Sequence, residues 1–185
     1  MPAEIKESTI IADVFIAELP SFADERGIFA ETFRRSWFPQ RSWDNLQTNR
    51  SVSRPGVVRG LHYHFHQVDY WCVMSGQIRA VLLDIRPDSP TCGASQAVDM
   101  GDEQLRGLFI PIGVAHGFAA LTPVVLTYIV DNYYDNSDEH GVAWNDPQVT
   151  VDWGVETPSL SARDLANPPL AEIAAALRPR RVPAA

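Results

Sequence analysis

The sequence lacks the cysteine framework of a disulfide-rich secreted protein and the long apolar segment of a membrane-spanning protein. It contains two cysteines, Cys72 and Cys92, which form no Cys-x-x-Cys motif and no disulfide framework. No apolar run reaches the roughly 18 residues that a membrane-spanning helix requires. Residues 1–9 lack the apolar stretch of a signal peptide. These absences predict a cytoplasmic protein without a membrane partner.

The chain also lacks a surplus of positive charge. Its formal net charge is −8 and its isoelectric point is about 5.0, whereas a general nucleic-acid binder needs a basic face. Nucleic acid is therefore not an expected partner, although a few local arginines could still hold a small anionic ligand. The 185 residues, 45% of them hydrophobic, suit one globular domain. We expect a single domain at residues 1–178 and a disordered tail at residues 179–185.

Most of the chain has the pattern of short strands separated by glycine and proline turns. The predicted strands are residues 14–19, 27–33, 56–65, 70–75, 77–85, 108–110, 116–121, 124–134 and 149–153. One helix is predicted, at residues 169–177, because this segment is alanine-rich and has a proline at its start. The pattern predicts an all-β sandwich or barrel with a short C-terminal helix.

Three of the five histidines lie within residues 62–66. On a strand, His62 and His64 are two residues apart and share a face. Asp69 follows after a turn, and His116 follows much later, after a Pro-x-Gly turn. This spacing resembles the two-part cupin motif, whose four side chains hold a divalent transition metal such as Fe, Ni, Mn or Zn in metal-binding cupins. The alternative is that the histidines line a barrel and bind no metal.

Seven short motifs indicate one particular family within the cupins. They are DERGIFAE at 24–31, QTNRSVS at 47–53, VRGLHY at 58–63, LDIR with SPT at 83–91, IP with AHGF at 110–118, WNDP at 144–147 and LSARD at 160–164. Together they resemble, in the same order, the dTDP-4-dehydrorhamnose 3,5-epimerase family. The resemblance implies a cupin jelly roll, usually a homodimer, that inverts carbons 3 and 5 of dTDP-4-keto-6-deoxyglucose without a cofactor.

The same resemblance assigns roles to individual residues. It implies that His62 is the base, that Asp164 holds its imidazole in the right tautomer, and that Tyr128 is the proton donor. The residues that match nucleotide and diphosphate contacts are Arg26, Gln47, Asn49 and Arg59. Those that match other substrate contacts are Glu31, His116, Glu139 and Arg163.

Two positions depart from the family pattern. Asp69 stands where the family has a lysine that is thought to stabilise the enolate, and His64 stands where it has a glutamine. Three interpretations stay open: a 3,5-epimerase with a rearranged pocket, a relative that inverts one carbon, or a metal enzyme, either isomerase or oxygenase. In the third, the metal ligands would be His62, His64, Asp69 and His116, and His62 could not also be the base. The first interpretation, without a metal, is our main prediction.

Overall fold

The computed structural model describes residues 3–182, and it confirms the predicted all-β fold. Its strands are β1 Glu4–Glu7, β2 Phe15–Glu18, β3 Ser21–Asp24, β4 Gly27–Ala30, β5 Gln47–Ser53, β6 Val58–Tyr63, β7 Asp69–Ser75, β8 Gln77–Asp84, β9 Ser95–Gly101, β10 Arg106–Ile110, β11 Val114–Ala120, β12 Val124–Val130 and β13 His140–Gly141. A four-residue helix, α1, spans Ala162–Leu165. No helix within residues 3–182 is long and apolar enough to cross a membrane.

The strands form two packed antiparallel sheets, as in a cupin jelly roll. One sheet has the order β1-β2-β10-β7-β12-β5 and the other β13-β6-β11-β8-β9, while β3 and β4 form a separate hairpin. Apolar side chains of both sheets meet in a buried core that includes Val73, Leu82, Leu108, Val114 and Leu126. The two sheets therefore enclose an interior that is apolar over much of its length.

Both sheets are also covered on their outer faces. The segments after β13 place Val142, Trp153 and Leu170 against the five-stranded sheet. Phe38 and Trp43 cover the six-stranded sheet. Strand β11 is buried at every position because it has neighbours on both faces.

The helix predicted at residues 169–177 is wrong. The chain there makes two separate 3₁₀ turns, Leu170–Glu172 and Ala175–Leu177. The guanidinium of Arg178 donates hydrogen bonds to the carbonyl oxygens of Leu170 and Ile173, at 2.7 to 2.9 Å. An α-helix would need these carbonyls for its own backbone hydrogen bonds, so the arginine stabilises a folded-back turn instead.

The C-terminal part of the chain differs from the prediction at two further points. Residues 149–153 form no strand, and Trp153 is buried with its indole N–H donating to the carbonyl of Trp144 at 3.1 Å. The tail, predicted to be disordered from residue 179, makes contacts: Pro179 is buried, and Arg181 pairs with Asp13 at 2.7 Å. Residues 183–185 of that tail lie outside the described residues.

Candidate active site

A cavity of about 340 Å³ lies between the two sheets. Side chains of β5, β7 and β12 form one wall, and side chains of β6 and β11 form the other. Most of the site residues predicted from the sequence line it: Gln47, Asn49, Arg59, His62, His116, Tyr128, Glu139 and Arg163. The structure therefore brings together residues that are far apart in the chain.

The six-stranded wall is built by strand alternation. Gln47, Asn49 and Ser51 point into the cavity because they occupy every second position of β5. β12 pairs with β5 so that Tyr128 lies opposite Asn49, and it pairs with β7 so that Tyr128 lies opposite Trp71. This register places the phenol of Tyr128 among polar groups at the edge of the apolar core.

The five-stranded wall places two histidines side by side. His62 on β6 is paired with His116 on β11. The two strands approach closely near these residues: a Cβ on Gly60 would lie 2.6 Å from the Cα of Gly117, and Gly60 has φ +125°. Glycine is needed at position 60 for both reasons, and the close approach fixes the two imidazoles in one part of the cavity.

His62 is held by Asp164, which lies behind the cavity wall. The Nε2 atom of His62 lies 2.6 Å from Oδ1 of Asp164. Helix α1 positions the carboxylate, since the hydroxyl of Ser161 caps the helix and accepts the backbone N–H of Asp164 at 3.1 Å. Burial alone would raise the pKa of Asp164, but His62 and Ser161 outweigh it and hold that pKa below its ordinary value. The carboxylate is therefore ionised at neutral pH and can orient the imidazole.

Tyr128 is suited to donate a proton. Burial raises the pKa of its hydroxyl, and the nearby charges of Asp69 and Glu139 raise it further. The phenol therefore remains protonated at neutral pH, as a general acid must be before it acts.

His64, Asp69 and His116 form a buried cluster in the same cavity. One donor atom from each of the three lies within 4.8 Å of the others. Burial lowers the pKa of His116 to about 4. Burial would raise the pKa of Asp69, but His116, His64 and two N–H donors hold it below its ordinary value. His62, the fourth residue of the predicted metal set, instead bonds to Asp164, so the structure separates it from this cluster.

Arg26 and Glu31 do not reach the cavity. Arg26 is exposed on the turn of the β3–β4 hairpin and pairs with Asp24 at 2.6 Å. Glu31 pairs with Arg34 at 2.7 Å. Within one chain, therefore, these two residues are not part of the site that the other predicted residues form.

The cavity also contains residues that the sequence did not single out. Among them are Ser51, Gln67, Trp71 and Tyr134. Ser51 and Trp71 continue the alternation of Asn49 and Asp69, so strand periodicity could have found them. Gln67 and Tyr134 lie in loops, where no periodicity marks the side that a residue faces.

The chain is similar to known proteins over most of its length. The family model described as dTDP-4-dehydrorhamnose 3,5-epimerase matches residues 8–172. The chain is 38% identical over 165 residues to the dTDP-4-dehydrorhamnose 3,5-epimerase of Shigella flexneri, covering 85% of this chain and 91% of that protein.

Two solved structures are also similar. One is the dTDP-6-deoxy-D-glucose-3,5-epimerase of Legionella pneumophila in complex with dTDP-4-keto-L-rhamnose, at 34% identity and a TM-score of 0.90, covering 98% of this chain and 100% of that one. The other is a 3'-monoepimerase of Streptomyces bikiniensis in complex with dTDP-quinovose, at 30% identity and a TM-score of 0.87, covering 95% of this chain and 93% of that one.

Proposed function

The chain belongs to the dTDP-4-dehydrorhamnose 3,5-epimerase family, and we propose that it inverts carbons 3 and 5 of dTDP-4-keto-6-deoxyglucose. His62 removes the proton next to the ketone, and Tyr128 returns a proton to the other face of the carbon. Asp164 keeps the imidazole oriented. These proton transfers need no redox cofactor.

The observation that carries this proposal is the placement of His62 and Tyr128 on opposite walls. His62 lies on β6 of one sheet and Tyr128 on β12 of the other, and both line the same cavity. A sugar ring between the sheets would have a base on one face and an acid on the other. Inversion of a carbon requires this arrangement, because the proton must leave from one face and return to the opposite one.

The nucleotide is proposed to bind at the arginine side of the cavity. Arg59 and Arg163 line it, and a guanidinium can form paired hydrogen bonds with phosphate oxygens. Arg59 donates to the hydroxyl of Ser53 at 3.1 Å, and Arg163 donates to Glu139 at 3.1 Å. These contacts hold both guanidinium groups at the cavity in a protein whose overall charge is negative.

We further propose a homodimer. The β3–β4 hairpin exposes Phe22, Ile28 and Phe29, each more than half exposed, and a second chain would cover such an apolar group. Arg26 and Glu31 could then contact substrate only in the cavity of the partner chain. Light scattering at micromolar concentration should give twice the chain mass, and a monomer mass would contradict this part of the proposal.

Deuterium uptake tests the reaction itself. The protein is incubated with dTDP-4-keto-6-deoxyglucose in heavy water, and the deuterium content of the product sugar is measured against a control without protein. Uptake at both carbons is expected. Uptake at carbon 3 alone would instead place the chain with the monoepimerases, such as the Streptomyces bikiniensis relative. No uptake with any metal supplement would refute an epimerase activity.

A further inference from the structure

We propose that His64, Asp69 and His116 bind a divalent first-row transition metal at which the ketone oxygen of the substrate docks. The metal site follows from the geometry of the cluster alone, whereas its role as an electrophile rests on the proposed function. Two imidazoles and one carboxylate suit such a metal and leave coordination positions open toward the cavity.

Both imidazoles are oriented as metal ligands are. Nδ1 of His64 lies 2.9 Å from the carbonyl oxygen of Asp138, and Nδ1 of His116 lies 2.9 Å from that of Val114. Each Nδ1 therefore carries the proton and donates it to the backbone, which leaves the lone pair on Nε2. Metal-binding histidines usually make this kind of outer hydrogen bond, because it fixes both tautomer and ring orientation.

The Nε2 atoms both face Asp69. They lie 4.0 Å (His64) and 3.7 Å (His116) from its carboxylate oxygens, which is too long for a hydrogen bond. A metal about 2.1 Å from each donor would set tetrahedral donors about 3.4 Å apart. Small side-chain movements would therefore bring the three donors to coordination distance from an ion. The ion would contact the two imidazole Nε2 atoms and the carboxylate of Asp69.

Asp69 is itself held in place. Gln67 donates to its Oδ1 at 2.9 Å, and the indole of Trp71 donates to its Oδ2 at 3.0 Å. The carboxylate is buried among these groups, and a buried anion needs a compensating charge. A divalent cation between Asp69 and the two histidines would provide it.

The proposed reaction also needs a positive charge near the ketone oxygen, where negative charge develops. The chain has a single lysine, Lys6, which is exposed on β1 and pairs with Glu4 at 2.7 Å. Lysine therefore cannot supply that charge from within the cavity. Without a bound cation, the negative charge of Asp69 would repel the enolate, whereas a metal bound to Asp69 would attract it.

His62 remains free to act as the base because it bonds to Asp164 and not to the cluster. When His62 takes the proton, the C–H bonding pair forms the carbon–carbon double bond and the carbonyl π pair moves to the ketone oxygen, which becomes the enolate oxygen. A metal held by His64, Asp69 and His116 would supply positive charge next to that oxygen. The ketone re-forms as Tyr128 protonates the carbon from the other wall. His62 and Tyr128 then recover their protonation states by exchange with water, and no step needs an oxidant or a reductant.

Metal binding is tested without reference to activity. Protein stripped with a chelator is titrated with Zn²⁺ by calorimetry, and with Co²⁺ by visible absorption, which reports nitrogen and oxygen ligands directly. We expect one ion per chain. Asp69→Asn and His116→Gln should each weaken binding more than about 100-fold, which exceeds the usual effect of losing an outer hydrogen bond. The matched control His66→Gln alters an exposed histidine outside the cluster and should bind as the parent does.

The outcomes separate the metal site from the proposed function. If neither ion binds, or if Asp69→Asn and His116→Gln bind as tightly as the parent, the metal proposal is refuted while deuterium uptake can still show an epimerase. If the ion binds at the cluster but the stripped protein exchanges deuterium at the full rate, the electrophile role is refuted. Loss of exchange on stripping, with recovery on adding metal, supports both. Metal binding without exchange under any condition supports the site and refutes the epimerase.

Discussion

The carboxylate of Asp164 approaches the imidazole of His62 to 2.6 Å across 102 positions of the sequence. It belongs to the short helix α1, which lies outside the two sheets and contacts β6. His62, the proposed base, is therefore positioned from behind the cavity wall, by a carboxylate that does not itself line the cavity.

Replacing Asp164 with asparagine should remove this orientation without removing the side-chain volume. We expect kcat to fall by about 10² to 10⁴-fold, the range over which a positioned base contributes, while the KM for substrate changes little. Deuterium exchange into the substrate measures the loss. The matched control is Asp152→Asn, at an exposed position whose carboxylate accepts the N–H of Gly154. An Asp164→Asn enzyme with parental kcat would show that His62 needs no carboxylate.

Tyr128→Phe should separate the two halves of the reaction. His62 remains able to remove a proton, so deuterium should still exchange into unreacted substrate, while inversion falls by about 10²-fold or more because the acid is missing. Mass spectrometry of recovered substrate and product distinguishes the two. Tyr133→Phe serves as the control, since that tyrosine is exposed and outside the cavity. Equal loss of exchange and inversion would mean that Tyr128 is not the acid on the opposite face.

Several strands could be predicted from the sequence because most of their inward side chains are apolar, although β9 was missed even though its Val98 and Met100 face the core. β8 and β12 have this pattern, and the predicted segments cover both. β5 was not predicted as a strand because its inward residues Gln47, Asn49 and Ser51 are polar. These residues face the cavity and not the core. β5 therefore lacks the hydrophobic alternation by which a strand is recognised in a sequence.

The family resemblance predicted most, but not all, of the residues in the cavity correctly. Arg59, His62 and Tyr128 line the cavity, whereas Arg26 lies on a hairpin away from it. A motif match shows that a residue is shared with a family. It does not show whether that residue acts in the cavity of its own chain or in the cavity of another chain. His62 is separated from the cluster of His64, Asp69 and His116 by its bond to Asp164. The family resemblance implied this partner, whereas residue spacing alone does not indicate it because Asp164 is far away in the sequence.

Arg59 should contribute to nucleotide binding. Replacing it with glutamine removes the charge but keeps a hydrogen-bonding group. A hydrogen bond to a charged group contributes about 1.5 to 3 kcal/mol, so the Kd for dTDP should rise by about 10 to 100-fold in calorimetric titrations. Arg50→Gln is the matched control, because Arg50 lies on the outward face of neighbouring β5. Similar effects of both substitutions would indicate a general charge effect and no specific contact.

Arg86 should be important for stability and not for chemistry, although it belongs to one of the family motifs. Its guanidinium is fully buried and donates to Asp84 at 2.8 Å and to Asp13 at 2.9 Å. Arg86→Met would leave two carboxylates without their buried cation. The free energy of unfolding at pH 7 should therefore fall by about 3 to 5 kcal/mol, as measured in urea. Arg79→Met, which breaks a more exposed pair with Asp99, should lower it by about 1 kcal/mol or less.

The pH dependence of this loss has a definite sign. In the parent, burial would raise the pKa of Asp84, but Arg86, Ser89 and Thr91 outweigh it and lower that pKa. Ionised Asp84 therefore stabilises the fold above its unfolded pKa of about 3.9, and this contribution is lost as the pH falls through the lower folded pKa. Without Arg86, burial should raise the pKa of Asp84 instead. Protonation of Asp84 then removes a buried, unpaired charge, and the variant is destabilised less. The difference in free energy of unfolding between parent and Arg86→Met should shrink as the pH falls from 7 to 4 in urea titrations. A difference that stays constant over this range would show that Arg86 stabilises the fold by packing and not through its charge.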